Sequence, residues 1–311
     1  MPTNPMKIHV LGSAAGGGCP QWNCNCLNCA RLRSGNPHLK RRTQSSIAVS
    51  SDGQSWVLFN ASPDILEQLY AMPAAQPARS IRDTGLRSIV LIDSQIDHTT
   101  GLLMLRESNH PLRIYCTEPV YEDLTQGNPL FNVLSHYCKV DWQPIRFKNG
   151  RFDFTVPEIS DLSFTAYPLK SKAPPYSPHR LDPHEGDTIG VVVQDRRSGH
   201  QLFYAPGLGE IEPQLEPLMQ EADCILVDGT FWREDEMAVL GIAQKYAREL
   251  GHLPQSGSGG MIERLAPMKK PRKILIHINN TNPILDEESR ERATLTQAGI
   301  EVAFDGMEIL L

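Results

Sequence analysis

Short apolar runs bounded by Gly, Pro, Asn and Asp dominate the pattern along this chain, and most of them read as strands. Residues 7–12, Lys-Ile-His-Val-Leu-Gly, form one such run and lead into the glycine-rich turn 14–18. Residues 46–50 and 56–60 read as two strands joined by a turn at Asp52-Gly53. Residues 63–72 have a helical pattern, with Ser62 as N-cap and Pro63 in the first turn. Residues 87–92 read as a buried strand, followed by the polar loop 93–100 and a helix beginning at Gly101. Further strands are expected near 114–117, 152–156, 163–167, 188–193, 202–205, 224–228, 274–277 and 301–305, with helix-like stretches at 238–249 and 285–298. Between them, residues 168–187 are rich in proline, include two histidines and have little periodicity. Long irregular loops of this kind commonly serve as lids or binding loops. The strands fall into two groups, each followed by helices. That order suits two packed sheets with helices outside, an αββα sandwich of the α/β class, in one continuous domain over 1–311.

Composition narrows the partners. The net charge of -6 excludes the electrostatics of a nucleic-acid binder. No apolar run approaches the roughly 20 residues that span a bilayer, and the N-terminus lacks a signal-peptide pattern. The expected location is cytoplasmic. Of the seven cysteines, Cys19, Cys24, Cys26 and Cys29 fall close together, while Cys116, Cys138 and Cys224 are scattered and read as small buried apolar residues.

Cys24, Cys26 and Cys29 have C-x-C-x-x-C spacing, which suits tetrahedral thiolate ligation of zinc in a loop. The alternative is three free thiols on a surface loop. A fourth ligand is left open: Cys19 and His38 are near in sequence, and a distant side chain could also supply it. A second candidate is Asp97-His98, in a loop that ends an apolar strand and opens a helix, where α/β proteins place chemistry. An adjacent carboxylate and imidazole can share one metal. His277 ends another apolar strand, and His252 lies in a Gly-rich loop after a helix. Each histidine also has an ordinary reading, as a hydrogen-bonded core residue or a helix cap.

Several segments carry a resemblance to a known family. Leu-Gly-Ser-Ala-Ala-Gly-Gly-Gly (11–18), Pro-Gln-Trp-Asn-Cys-Asn-Cys (20–26), Arg-Thr-Gln-Ser-Ser-Ile-Ala (42–48), Asn-Ala-Ser-Pro-Asp (60–64) and Asp-Ser-Gln-Ile-Asp-His-Thr-Thr-Gly (93–101) resemble the pyrroloquinoline quinone (PQQ) biosynthesis protein B family. The likeness runs from residue 7 to the end. It implies a metallo-β-lactamase fold with an N-terminal zinc-binding loop at about 19–45. Hydrolases of that superfamily carry His-x-His-x-Asp-His where this chain reads Asp93-x-Gln95-x-Asp97-His98. The first two histidines are replaced and the last two ligands kept. Near Pro168-Leu-Lys170, where another metal histidine is usual, there is none. The stretch 204–207 lacks the usual bridging aspartate. His277 matches the last histidine. The resemblance therefore implies one metal held by Asp97, His98 and His277, a set with open positions like that of non-haem Fe(II) enzymes. Dinuclear hydrolysis is poorly supported. The cysteine loop is also similar to that of a cyclic phosphodiesterase of the carbon–phosphorus lyase pathway, in which a histidine completes the zinc site. The corresponding position here is Asn280, a poor zinc ligand beside thiolates but favoured by its place.

The activity implied is iron-dependent hydroxylation of a tyrosine ring in a Glu–Tyr cross-linked precursor cut from a ribosomal peptide. Structural Zn(2+) and active-site Fe(2+) are the expected cofactors. His252, Asp93 and Gln95 are the candidate catalytic residues. Lys170, Lys172 and Arg180 are candidates for the precursor's carboxylates, although a solvated surface role suits each as well. The expected partner is this small molecule, with no nucleic acid and no membrane segment; a homodimer is left open. A soluble carrier of PQQ or its precursor towards the periplasm, and a metal-dependent hydrolase, are the competing functions.

Overall fold

The structure, a computed structural model, describes residues 5–311, so the N-terminal reading at residues 1–4 lies outside the described residues. The chain divides into two compact units. The first comprises the described part of Met1–Leu11, then Ser46–Gln201 and Gly306–Leu311; the second comprises Gly12–Ser45 and Leu202–Asp305.

In the first unit, one sheet has the order β14-β1-β2-β3-β4-β5-β6. Its strands are β1 (Lys7–Gly12), β2 (Ser46–Ser50), β3 (Trp56–Phe59), β4 (Leu86–Val90), β5 (Leu112–Thr117), β6 (Val140–Ile145) and β14 (Glu308–Leu310). β2 and β3 pair antiparallel, with Val49 opposite Val57, as expected for a hairpin turning at Asp52-Gly53. Asp52 Oδ1 accepts from the Gln54 and Ser55 amides, and Gly53 takes a left-handed φ of +75° that side chains resist. β3 to β6 run parallel. Both faces of β2 and β3 are buried, which explains why these strands read as unbroken apolar runs. Leu58, Ile65, Ile89, Leu91, Ile114 and Phe131 belong to one core cluster. β7 (Phe152–Phe154), β8 (Leu162–Pro168) and β9 (Ile189–Asp195) form an antiparallel ladder in the same unit.

The second unit is built on parallel pairing of β10 (Gln201–Ala205), β11 (Cys224–Asp228), β12 (Arg272–Ile276) and β13 (Ile300–Val302). Every residue of β11 is buried. Parallel strands end together, so Asp228 and Ile276 are partners and the loops after them share one edge.

Several helices differ from expectation. The helix expected at 63–72 spans Ile65–Tyr70, because Ser62 Oγ caps a turn at the Asp64 amide before the helix begins. The stretch 238–249 is not one helix: Glu236–Val239 is followed by turns, with only a 3₁₀ turn at Arg248–Leu250. Gly241 has a φ of +67°, which breaks a right-handed helix. The stretch 285–298 is α-helical only over Arg290–Gln297, starting where Ser289 Oγ accepts from the Arg292 amide, and Leu285 ends a 3₁₀ turn, Pro283–Leu285. The helix expected from Gly101 starts earlier, at Ile96–Thr99, and continues as a 3₁₀ segment Thr100–Leu105. Strand β6 and a helix at Leu27–Arg33 were not expected. Among the described residues, no helix is long and apolar enough to cross a membrane.

Candidate metal centre

In the first unit, the loop after β4 carries Asp93, Gln95, Asp97 and His98. Asp93 is buried, and its Oδ1 accepts from the Gln95 amide at 2.9 Å and faces His98 Nδ1 at 2.7 Å. Those bonds turn the chain sharply and begin the short helix Ile96–Thr99, for which Gln95 supplies the His98 amide's acceptor. The preceding stretch holds the helix from behind. Ala61 N donates to the His98 carbonyl, and Gly101 N to the Ala61 carbonyl. A Cβ at Gly101 would overlap the Ser62 carbonyl oxygen, so only glycine fits there. His98 is fully buried. Burial alone would lower its pKa, but the charges of Asp93 and Asp97 and the Asp93 hydrogen bond raise it to about 9. With Nδ1 fixed by Asp93, Nε2 is the nitrogen turned towards Asp97 Oδ2, 3.8 Å away, and the one a metal would use.

In the second unit, Asp228, Thr230, His252 and His277 converge at the ends of β11 and β12. His252 Nδ1 lies 2.6 Å from Asp228 Oδ2 and 3.1 Å from Thr230 Oγ1. Thr230 Oγ1 lies 2.9 Å from His277 Nδ1 and donates to the His277 carbonyl. The hydroxyl proton is thereby assigned, so His277 Nδ1–H donates to Thr230 and its Nε2 keeps the lone pair. Asp228, His252 and His277 offer ligand atoms within 4.8 Å of one another. Asp228 is nonetheless a poor metal ligand. It is fully buried, and its two oxygens already accept from the amides of Thr230 and Leu208 as well as facing His252. It orients His252, leaving Nε2 for a proton or a ligand role. The two imidazole rings lie 5.3 Å apart. His277 has a left-handed φ of +61°, unusual for a residue with a side chain. Backbone bonds hold it on both sides: Gly229 N donates to Ile276 O, and Ile278 N to Ser13 O.

The cysteine loop belongs to this second unit. Cys24, Cys26 and Cys29 bring their sulfurs within 4.8 Å of one another. The Asn280 amide reaches all three, with Nδ2 at 3.1, 3.5 and 3.4 Å. Rotating that amide by half a turn exchanges Nδ2 for Oδ1 and brings a carbonyl oxygen to the same point. Three thiols and one amide oxygen around a common centre fit a tetrahedral zinc ion. Of the other fourth-ligand candidates, His38 faces Glu288 at 3.4 Å. Cys19 is buried, with its backbone paired to Arg42. Burial, then neighbouring thiols, push the Cys26 thiol up to about 12, so zinc uptake at this loop must displace protons.

The expected substrate groups are less concentrated. Lys170 and Lys172 are exposed in the proline-rich segment, and the Arg180 guanidinium donates to the Ala173 carbonyl within it. Two members of the second-unit cluster, Asp228 and Thr230, escaped sequence reading. Asp228 had a signal, since it ends the apolar run Cys224-Ile-Leu-Val as His277 ends another. Thr230 had none.

Residues 55–278 match the beta-lactamase superfamily domain, whose fold is two mixed β-sheets with helices, so strand-end carboxylates and imidazoles of the kind seen here fall in a metallo-β-lactamase framework. A "Coenzyme PQQ synthesis protein B" from Nitrosococcus oceani is 65% identical over 309 residues, covering 98% of this chain and 100% of the relative. Another of that description, from Methylococcus capsulatus, is 62% identical over 306 residues, with 98% and 100% covered. The crystal structure of Zn(2+)-bound PqqB from Methylobacterium extorquens superimposes with a TM-score of 0.88 at 35% identity, covering 98% of this chain and 100% of that one. The chain belongs to the coenzyme PQQ synthesis protein B family. A diphosphatase of the PhnP family, at 18% identity and a TM-score of 0.67 over 98% of this chain and 97% of that one, shares the fold.

Proposed function

We propose that this protein acts in PQQ biosynthesis as a metal-dependent oxygenase that hydroxylates the tyrosine ring of a Glu–Tyr cross-linked precursor. The observation that carries the reading is the position of Asp93. The residue standing where superfamily hydrolases have their first histidine accepts from Gln95 and holds His98 Nδ1, so it orients a ligand. Gln95, at the second histidine's place, is a weak donor to a metal. The loop thus supplies one carboxylate and one imidazole, Asp97 and His98, and His277 is the third ligand of the proposal. Two imidazoles and a carboxylate leave open positions. Fe(II) bound by them would supply oxygen activation.

The chain's own residues do the rest. Asp228 fixes the His252 tautomer, so Nε2 is the atom that takes a proton from the substrate phenol. Lys170, Lys172 and Arg180 are proposed to meet the precursor's carboxylates. The test is anaerobic loading with Fe(II), followed by O₂ and a Glu–Tyr cross-linked substrate, read by mass spectrometry. Incorporation of oxygen into the ring is expected. His252→Ala should keep its metal and lose about 10²–10⁴-fold in single-turnover rate. No oxygen uptake by the loaded protein overturns the oxygenase reading, and an emptied metal site in His252→Ala makes His252 a ligand instead.

A further inference from the structure

The proline-rich segment 168–187 contains a buried polar chain that the proposed chemistry does not use. All of it lies in the first unit. Tyr176 donates its hydroxyl hydrogen bond to the Ser94 carbonyl. Ser94 Oγ donates to Asp123 Oδ2 at 2.5 Å. The other oxygen of Asp123 has no hydrogen bond and lies 3.9 Å from His179 Nε2. His179 Nε2 itself sits 2.8 Å from Asp187 Oδ1, and the second Asp187 oxygen accepts from the His184 amide at 2.9 Å. Ser94, Asp123 and Asp187 are 2% exposed or less, and His179 is 7% exposed.

Burial of two carboxylates is costly unless a donor or a cation accompanies them. Here the segment brings the imidazole that does so. If the segment swung away, Asp123 would lose its nearest imidazole and the Ser94 carbonyl the Tyr176 bond. Close packing points the same way. Asp123 opens the π-helical turn Asp123–Gly127, and a Cβ at Gly127 would overlap the Tyr176 carbonyl oxygen. At the far end, Thr117 Oγ1 donates to the Gly186 carbonyl at 2.7 Å.

Ser94 lies between Asp93 and Gln95. We propose that residues 168–187 are a fastened strap that positions the Asp93–His98 loop, with Tyr176, His179 and Asp123 as positioning residues acting through Ser94. Its effect on metal binding rests on the reading of Asp97 and His98 as ligands. The strap itself does not.

Hydrogen exchange on the full-length protein tests the strap without reference to a metal. Tyr176→Phe keeps the ring and deletes one hydroxyl; His179→Gln removes the imidazole; Gly127→Ala lifts the strap. In each, amide exchange should accelerate about tenfold both at 170–187 and at 93–100, the scale of losing one buried hydrogen bond, while β11 and β12 stay unchanged. Acceleration confined to 170–187, or none in any variant, overturns the proposal. Co(II) titrated into protein with zinc already on its cysteines gives the second readout. His179→Gln should bind Co(II) about 10–100-fold more weakly, the scale for groups that orient a ligand. If the wild-type protein takes up no Co(II) while the exchange pattern holds, the metal reading fails and the strap stands.

Discussion

The buried imidazole of His98 sits between two carboxylates, and its proton has a measurable consequence. Its pKa in the metal-free protein is raised to about 9 by Asp93 and Asp97 against the opposing effect of burial. A raised folded pKa contributes stability that is fully present below about 6.5, the unfolded value, and is lost as pH rises through about 9. Metal-free protein should therefore lose stability between those limits, and an NMR titration of the His98 ring should find its midpoint near the upper one. A metal needs the neutral ring, so binding must release that proton. Apparent affinity at this site should rise by about tenfold per pH unit from pH ~7 to ~9 and then flatten. Affinity independent of pH over that window contradicts the assignment. Asp93→Asn should remove the charge, bring the midpoint down and flatten the profile.

At the scale of elements, one loop joins the two chemistries of the second unit. After β12 the chain passes from His277 to Asn280 in three residues, so the loop that holds one imidazole also holds the amide on the three cysteine sulfurs. Asn28, in the helix of the cysteine loop, donates to the carbonyls of Asn280 and Asn282 at 3.0 and 2.8 Å. Cys26→Ser should lose one zinc per chain and lower the melting temperature, because zinc binding at such a site is folding free energy. It should also weaken the second metal, whose ligand loop loses its anchor. Elemental analysis beside a thermal melt checks both. Unchanged zinc content with an unchanged melting temperature removes the structural role. The cysteine spacing was readable because its ligands are local. Asn280, 251 positions beyond Cys29, was reachable only through a family resemblance, since nothing in an Ile-Asn-Asn tripeptide points to zinc.

For the molecule as a whole, the number of metal ions separates the candidate chemistries. With zinc on the cysteines, titration of metal-stripped protein should find one further site, abolished by His98→Ala and by His277→Ala. Two further ions about 3.5–4 Å apart would restore a dinuclear hydrolase. Two packed sheets were legible from a string of short apolar runs, because strands buried on both faces lose the polar alternation, whereas the metallo-β-lactamase fold itself came from the family resemblance. Helix limits were less legible. At 238–249 the apolar spacing resembled a helix, and Gly241 with its turn-forming neighbours prevailed.

The sequence by itself determined the strand-rich α/β class, the cysteine triad and the histidines at strand ends, because each is written in local spacing or in the ends of apolar runs. That Asp93 and Gln95 stand in place of histidines came from the family resemblance, which supplies the motif they are compared with. Only the tertiary structure decided what those residues touch. It set Asp93 Oδ1 against His98 Nδ1. It brought Asp228 and Thr230 to His252 from positions 24 and 22 residues away. It fastened Tyr176 to Ser94 across 82 residues. Hydrogen bonds of that kind depend on which strand ends and loops become neighbours once apolar surface is buried, and no spacing along the chain encodes that.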